Sequence, residues 1–166
     1  MVTQPELQDK DFVLWTMLLA EVLNAETIER LSVEHPDVRY SHGFLFQQLV
    51  EGPRPVGQVA ENLGVTSQAI SKMARELEAL GYVERTPDPS DARVRRLSLS
   101  ARGRAAIHAG RDVRAQLNAE LAAALGETRL AEAARTLKAA LRARDAMRAV
   151  TARRVRSAQG LYEGGR

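Results

Sequence analysis

Apolar residues recur along most of this chain at intervals of three and four, the period of helices that pack by one stripe. From Asp11 to Leu31 the residues Phe12, Trp15, Leu18, Leu19, Val22, Leu23 and Ile28 predict a long amphipathic helix with Asp9 or Asp11 as its cap. Pro36 stops any helix, and Val38 through Val50 predicts another, carrying Phe44, Leu45, Phe46 and Leu49. Gly52-Pro53-Arg54-Pro55 then separates it from a short helix built on Val56, Val59, Ala60 and Leu63, which Gly64 breaks, with Val65 pinning the turn. Ile70, Met73, Leu77 and Leu80 mark the next helix, capped by Thr66 or Ser67 and closed by Gly81.

After Gly81 the pattern changes. Tyr82-Val83-Glu84-Arg85 and the run from Val94 to Leu99 are strand-like, and the turn-rich Thr86-Pro87-Asp88-Pro89-Ser90-Asp91-Ala92 lies between them, so a hairpin is predicted. Ser100 then caps a long helix whose Ala106, Ile107, Gly110, Val113, Leu117, Leu121 and Leu125 form almost a heptad seam, ended by Gly126. A last helix follows, with Leu130, Ala134, Leu137 and Leu141, and weakens through Met147 and Val150. Helix, glycine-containing turn, polar-faced helix and hairpin make a winged helix-turn-helix. The fold class is therefore mainly α with a small β-hairpin wing: a winged helix-turn-helix domain plus long N- and C-terminal helices. The narrow alanine-leucine seams of the two C-terminal helices call for a partner helix; packing within one chain is the alternative. The divisions are an N-terminal dimerisation helix in 1–36, the winged region in 37–103, C-terminal dimerisation helices in 104–150 and a basic tail, expected to be disordered, in 151–166.

The outward face of the second helix of the motif carries Ser67, Gln68, Ser71 and Lys72, with Arg75 a turn further on and Thr66 at its start. Such donors and acceptors reach base edges or phosphates in a major groove. Arg93, Arg95 and Arg96 sit at the hairpin tip and along its returning strand, where guanidinium groups enter a minor groove or hold phosphates. Asp91 and Arg93 are two apart, so in an extended segment their side chains share a face and pair, which would make Arg93 worth more than Arg96. Arg54, ahead of the motif, is either a phosphate contact or a solvated loop residue.

These residues resemble the MarR family of bacterial winged-helix repressors. The likeness is carried by Val59-Ala60, Leu63-Gly64-Val65-Thr66, Leu77-Glu78-Ala79-Leu80-Gly81-Tyr82-Val83 with Arg85, the wing Asp88-Pro89-Ser90-Asp91-Ala92-Arg93, and Leu99-Ser100-Ala101-Arg102-Gly103, over roughly residues 40 to 125. Ala92 stands where glycine or arginine is frequent, and Ser100 where threonine is usual. The resemblance implies a homodimeric repressor on a pseudo-palindromic operator in double-stranded DNA, with the Ser67 to Leu80 helix in a major groove and Arg93 or Arg95 in the flanking minor groove. It also implies a small, often aromatic, anionic effector between the dimerisation helices and the reading domain. By analogy Trp15, Tyr40, His42 and Phe46 line that cleft and Arg39 meets the anion; the favoured reading of Trp15 and Phe46 is that they are ordinary core residues.

Composition and charge narrow the remaining choices. The net charge of +3 is too small to argue for DNA by itself. Its distribution is uneven: Lys10, Arg30 and Arg39 face eight carboxylates in residues 1–50, whereas Arg148, Arg153, Arg154, Arg156 and Arg166 face only Glu163 after residue 145. No cysteine is present, which excludes disulfides and thiol-based sensing. His35, His42 and His108 are isolated, so no metal pair and no cofactor are expected, and Asp88 and Asp91 read as turn-forming and arginine-pairing residues rather than acid-base groups. No segment of these 166 residues reads as a catalytic domain, and an enzyme is not expected. Residues 1–11 do not read as a leader and no run reaches the ~20 apolar residues of a membrane span, so the expected location is the cytoplasm, away from membranes. The rival to a DNA-binding regulator is a winged helix used as a protein-interaction or assembly module.

Overall fold

The computed structural model describes residues 11–91, 93–144 and 146. Helix α1 (Phe12–Ser32) begins where the Asp11 carboxylate accepts the Leu14 N–H at 2.9 Å, which satisfies one of the free donors of the first turn. The other cap candidate, Asp9, lies outside the described residues. Apolar residues fall on every side of this helix, yet only Leu31 near its end is buried. Helix α2 (His42–Leu49) starts four residues later than the periodicity predicts. The Val38–Ser41 segment turns instead, because the Arg39 N–H donates to the His42 Nδ1 at 3.2 Å while Val38 tucks into the core without helical neighbours.

The helix-turn-helix follows the sequence closely. Helix α3 (Val56–Leu63) ends at Gly64, whose φ of 67° is the left-handed closure that costs a residue without Cβ least. Helix α4 (Ser67–Ala79) starts under Thr66, whose hydroxyl oxygen accepts the Ala69 N–H at 3.2 Å. Ile70, Ala74 and Leu77 are its buried stripe; they meet Val59, Ala60 and Leu63 of α3 in one core with Leu45, Phe46 and Leu49 of α2. Burying each of the larger aliphatics contributes about 1.5–3 kcal/mol, so this cluster, not helix propensity, holds the two helices at their angle.

The sheet has one strand more than the hairpin predicts. β2 (Val83–Pro87) and β3 (Arg95–Leu99) pair antiparallel, and β1 (Arg54–Pro55) adds to the other edge of β3, giving the order β1-β3-β2. Two residues cannot show a period, so β1 reads as loop in the sequence. Thr86 and Pro87, read there as turn, extend β2, and both prolines stand on edge strands, where a missing N–H is tolerated. Helix α5 (Ala101–Leu125) is capped by Ser100, whose Oγ accepts the Gly103 N–H at 3.0 Å. It packs along α1, where Arg30 meets both oxygens of Glu120 at 2.6 and 2.8 Å. Helix α6 (Glu127–Ala143) buries none of its residues. Met147, Val150 and the basic segment 151–166 lie outside the described residues.

Candidate nucleic-acid interface

The core decides which face of α4 remains outside. With Ile70, Ala74 and Leu77 turned inward, Ser67, Gln68, Lys72 and Arg75 are exposed and Ser71 is half-exposed. Thr66 uses an oxygen lone pair on the helix cap, which leaves its hydroxyl proton to donate outward. The start of α4 therefore presents hydroxyls, an amide and two cations around free backbone N–H groups, a set that accepts phosphate and reads base edges.

Beside it stands the wing, arranged differently from the expectation. The 88–94 segment is a turn rather than an extended run: the Asp91 carboxylate accepts the Arg93 backbone N–H at 3.0 Å, and the Asp91 carbonyl accepts the Val94 N–H at 2.9 Å. The pairing of the Asp91 and Arg93 side chains is thereby corrected, since a carboxylate turned onto the backbone of its own turn does not present itself to the guanidinium. The arginine that is held is Arg96. Its Nη1 lies 3.6 Å from the Asp88 carboxylate and its Nη2 donates to the Pro53 carbonyl at 2.9 Å. Arg93 and Arg95 are exposed, and neither guanidinium has an ion pair or hydrogen bond with the described residues.

Arg54 is not a loose loop residue either. It lies in β1 and donates to the Glu51 carboxylate at 2.7 Å, three-quarters buried. Two partners escaped the sequence reading. Arg85 of β2 approaches Glu78 of α4 at 3.6 Å, with its Nε and Nη2 buried and without a hydrogen-bond partner among the described residues. Glu76 of α4 pairs with Arg39 and lies 3.8 Å from the His42 ring. Nothing in the spacing signals either contact, because both join elements that only the tertiary fold brings together.

A cleft of about 240 Å³ opens between α1, α2 and α5. Arg39, Tyr40 and Phe46 line it as expected, with Asn24, Ile28, Gln47 and Arg114 among the others. Two expected members do not. Trp15 lies toward the free end of α1 and is 42% exposed, so it belongs neither to the cleft nor to the core. His42 is fully buried behind Arg39; burial first, and the Arg39 charge second, hold its pKa below the ordinary histidine value, against an opposing pull from Glu76. Phe46 serves both roles, packed in the core with one edge on the cleft. Among the described residues no cluster of histidine and carboxylate side chains suits a metal ion, and no helix is long and apolar enough to cross a membrane.

A short amphipathic helix, a left-handed glycine, a polar-faced second helix and a three-stranded wing define a winged helix-turn-helix protein. Comparison with known proteins makes the class more particular. Residues 42–94 match the model of the MarR family. That is a family of transcription regulators, not of enzymes. A search of curated proteins gives no match. Among solved structures, the YusO protein from Bacillus subtilis is similar at 27% identity, with 80% of this chain and 94% of that one covered and a TM-score of 0.67. RV1404 from Mycobacterium tuberculosis shares the fold at 20% identity, covering 84% and 98% with a TM-score of 0.70. A mutant MarR from E. coli, solved as a complex with operator DNA, shares it at 22% identity, covering 78% and 92% with a TM-score of 0.61.

Proposed function

We propose that this chain is a homodimeric, sequence-specific DNA-binding transcription regulator that represses from a pseudo-palindromic operator and is released by a small aromatic acid. The observation that carries the reading is the unpacked polar face of α4 beside a wing whose Arg93 and Arg95 guanidinium groups have no partner among the described residues. A protein of the same fold, E. coli MarR, is complexed with operator DNA, which supports the same use of these elements here. Thr66, Ser67, Gln68 and Ser71 read bases, Lys72 and Arg75 serve bases or phosphates, Arg93 and Arg95 enter the minor groove, and Arg54 meets a phosphate only by leaving Glu51.

The dimer follows from α1. Residues 12–20 of α1 are apolar except for Thr16, a segment that belongs inside something larger, and Val13 and Met17 are each 66% exposed in the single chain. A partner's helices are the cover that repairs this, and two-fold pairing then sets two α4 helices about one DNA turn apart, ~10 base pairs. The effector reading rests on the cleft. Its 240 Å³ is below the ~300–1,000 Å³ of sites for drug-sized ligands, which suits one aromatic ring and one anionic group. Arg39 stands between the cleft and Glu76 of α4, so an anion that draws the guanidinium away loosens a contact of the reading helix. A ligand acts in this way only through unequal affinity for the two arrangements.

The test is selection of bound DNA from a random pool, followed by salicylate titration of the complex. Recovery of an inverted repeat with half-sites ~10 base pairs apart, and a binding constant that falls steeply with salt, supports the reading. A pool that stays random, or binding insensitive to salt, leaves the winged helix as a protein-docking module instead.

A further inference from the structure

We infer that Arg96 is a positioning residue, which clamps the wing to the entrance of the helix-turn-helix through Asp88 and the Pro53 carbonyl, rather than a DNA contact. This rests on the DNA-binding reading above, and it separates Arg93, Arg95 and Arg96 into one that holds and two that reach.

Arg96 occupies the central strand, with Pro55 of β1 and Thr86 of β2 as its register partners. From there its two terminal nitrogens go to opposite edges of the sheet. Nη2 donates to the Pro53 carbonyl at 2.9 Å, just before β1, and Nη1 lies 3.6 Å from Asp88, just after β2. Its Nε is buried with no hydrogen-bond partner among the described residues. The head group therefore already spends its two ends within the protein, and reaching a phosphate would mean giving up both.

Asp88 is the second jaw. One carboxylate oxygen accepts the Ser90 N–H at 2.8 Å and also the Ser90 hydroxyl, and the other faces Arg96. Those Ser90 bonds first, and the Arg96 charge after them, hold its carboxyl below the usual carboxylate range. The Asp88 N–H donates to the Val94 carbonyl at 2.9 Å, which closes the hairpin just short of the tip. One chain of contacts thus runs from the loop ahead of α3, through Arg96 and Asp88, to the turn that carries Arg93. A planar fork offers two separate nitrogens to acceptors at opposite edges of the strand, whereas an ammonium brings all its donors to one nitrogen.

The experiment uses the full chain and two readouts, amide hydrogen exchange across residues 86–95 without DNA, and the salt dependence of affinity for the selected operator. Arg96→Ala, Arg96→Lys and Asp88→Asn should each speed exchange at Ser90 and Val94 about tenfold. Each should weaken operator binding by a similar factor while leaving the slope of log K against log salt unchanged. The double variant Arg96→Ala/Asp88→Asn should be little worse than either single one, as expected of two jaws of one device. Arg93→Ala should leave exchange alone but lower the slope by about 0.9, the signature of one lost phosphate contact. Wild-type exchange in all three clamp variants overturns the proposal, whether or not the protein binds DNA. So does a slope that falls by a unit in Arg96→Ala while Arg96→Lys keeps it, because charge rather than geometry would then be what matters. A wild-type chain that selects no DNA defeats the DNA-binding reading, and the exchange data still decide the clamp.

Discussion

Gly103 sits in the first turn of α5 where the helix comes down on the start of β2, and replacing it with alanine tests how tightly the wing is tied to that helix. A Cβ built there lies 2.1 Å from the Tyr82 carbonyl oxygen and 3.1 Å from the Leu99 Cδ2. The first distance is more than an ångström inside ordinary contact of about 3.5 Å, and the obstacle is backbone, which cannot rotate away. Relief requires α5 to back off, and that movement strains three hydrogen bonds. They run from the Ser100 N–H to the Tyr82 carbonyl at 3.1 Å, from the Ser100 hydroxyl to the Gly81 carbonyl at 2.6 Å, and from the Gly103 N–H to the Ser100 Oγ at 3.0 Å. At roughly 1 kcal/mol net for each bond, Gly103→Ala should cost about 3 kcal/mol. For a chain of this size that lowers Tm by about 6–12 °C. Gly57→Ala in α3 is the control, since a Cβ there meets nothing within 4 Å and should be neutral or stabilise by up to about 1 kcal/mol. Thermal unfolding at one fixed protein concentration measures both, so that mass action on any dimer is held constant. A Gly103→Ala variant within about 0.5 kcal/mol of wild type would refute the idea that helix and strand are locked at this point.

Three further outcomes are expected. Met17→Glu puts a charge where the proposed dimer buries an apolar helix and should weaken association by at least about 2 kcal/mol, seen as monomer in sedimentation; a dimer of unchanged strength removes α1 from the interface. Thr66→Ala removes the cap of α4 and should cost about 1 kcal/mol in urea unfolding, and no change there means water replaces the hydroxyl. Burial lowers the His42 pKa, so between its folded pKa and the ordinary value of 6.5 the unfolded chain binds more protons than the folded one. Its contribution is complete above about pH 6.5 and is lost as pH falls through the folded pKa. His42→Asn should therefore flatten the loss of stability between about pH 7 and pH 5, and an equally steep loss in the variant assigns it to other groups.

The helices were legible because each states its own period and punctuation. Asp11, Thr66 and Ser100 cap the helices they precede, and Gly64, Gly81 and Gly126 stand at positive φ where helices end. Contacts that depend on register across the sheet were not legible. Arg93 and Arg96 look alike in sequence, and pairing by nearest carboxylate selects Asp91, but the tight turn at 91–94 spends that carboxylate on backbone and leaves Asp88 facing the third residue of the sequence Arg93-Val94-Arg95-Arg96 that carries a guanidinium. His42 misled for a related reason: its place beside Arg39 and Tyr40 suggests the cleft, while the turn at 39–42 rotates its ring behind them into the core. Trp15 fits the stripe of α1 but is 42% exposed and does not line the cleft.

One junction ties the ends of four elements together. Arg102 of α5 stacks 4.3 Å over the Tyr82 ring, donates to the Leu80 carbonyl at 2.5 Å and reaches Asp37 at 3.3 Å. The Tyr82 hydroxyl meets the His35 ring at 3.4 Å. The end of α4, the start of β2, the start of α5 and the segment after α1 are thereby fastened at one point, and a shift of α5 carries that end of α4 with it rather than bending it. One turn back along α4 the only charged tie among the described residues to the cleft side is Arg39 with Glu76, whose side chains are 62% and 37% exposed. Exposed pairs of this kind are worth about 0–1 kcal/mol, little enough for a bound anion to displace. If the cleft controls the reading helix as proposed, it does so by releasing the last turn of α4 at this weak tie, beside the Arg102 junction that fastens the end of the helix.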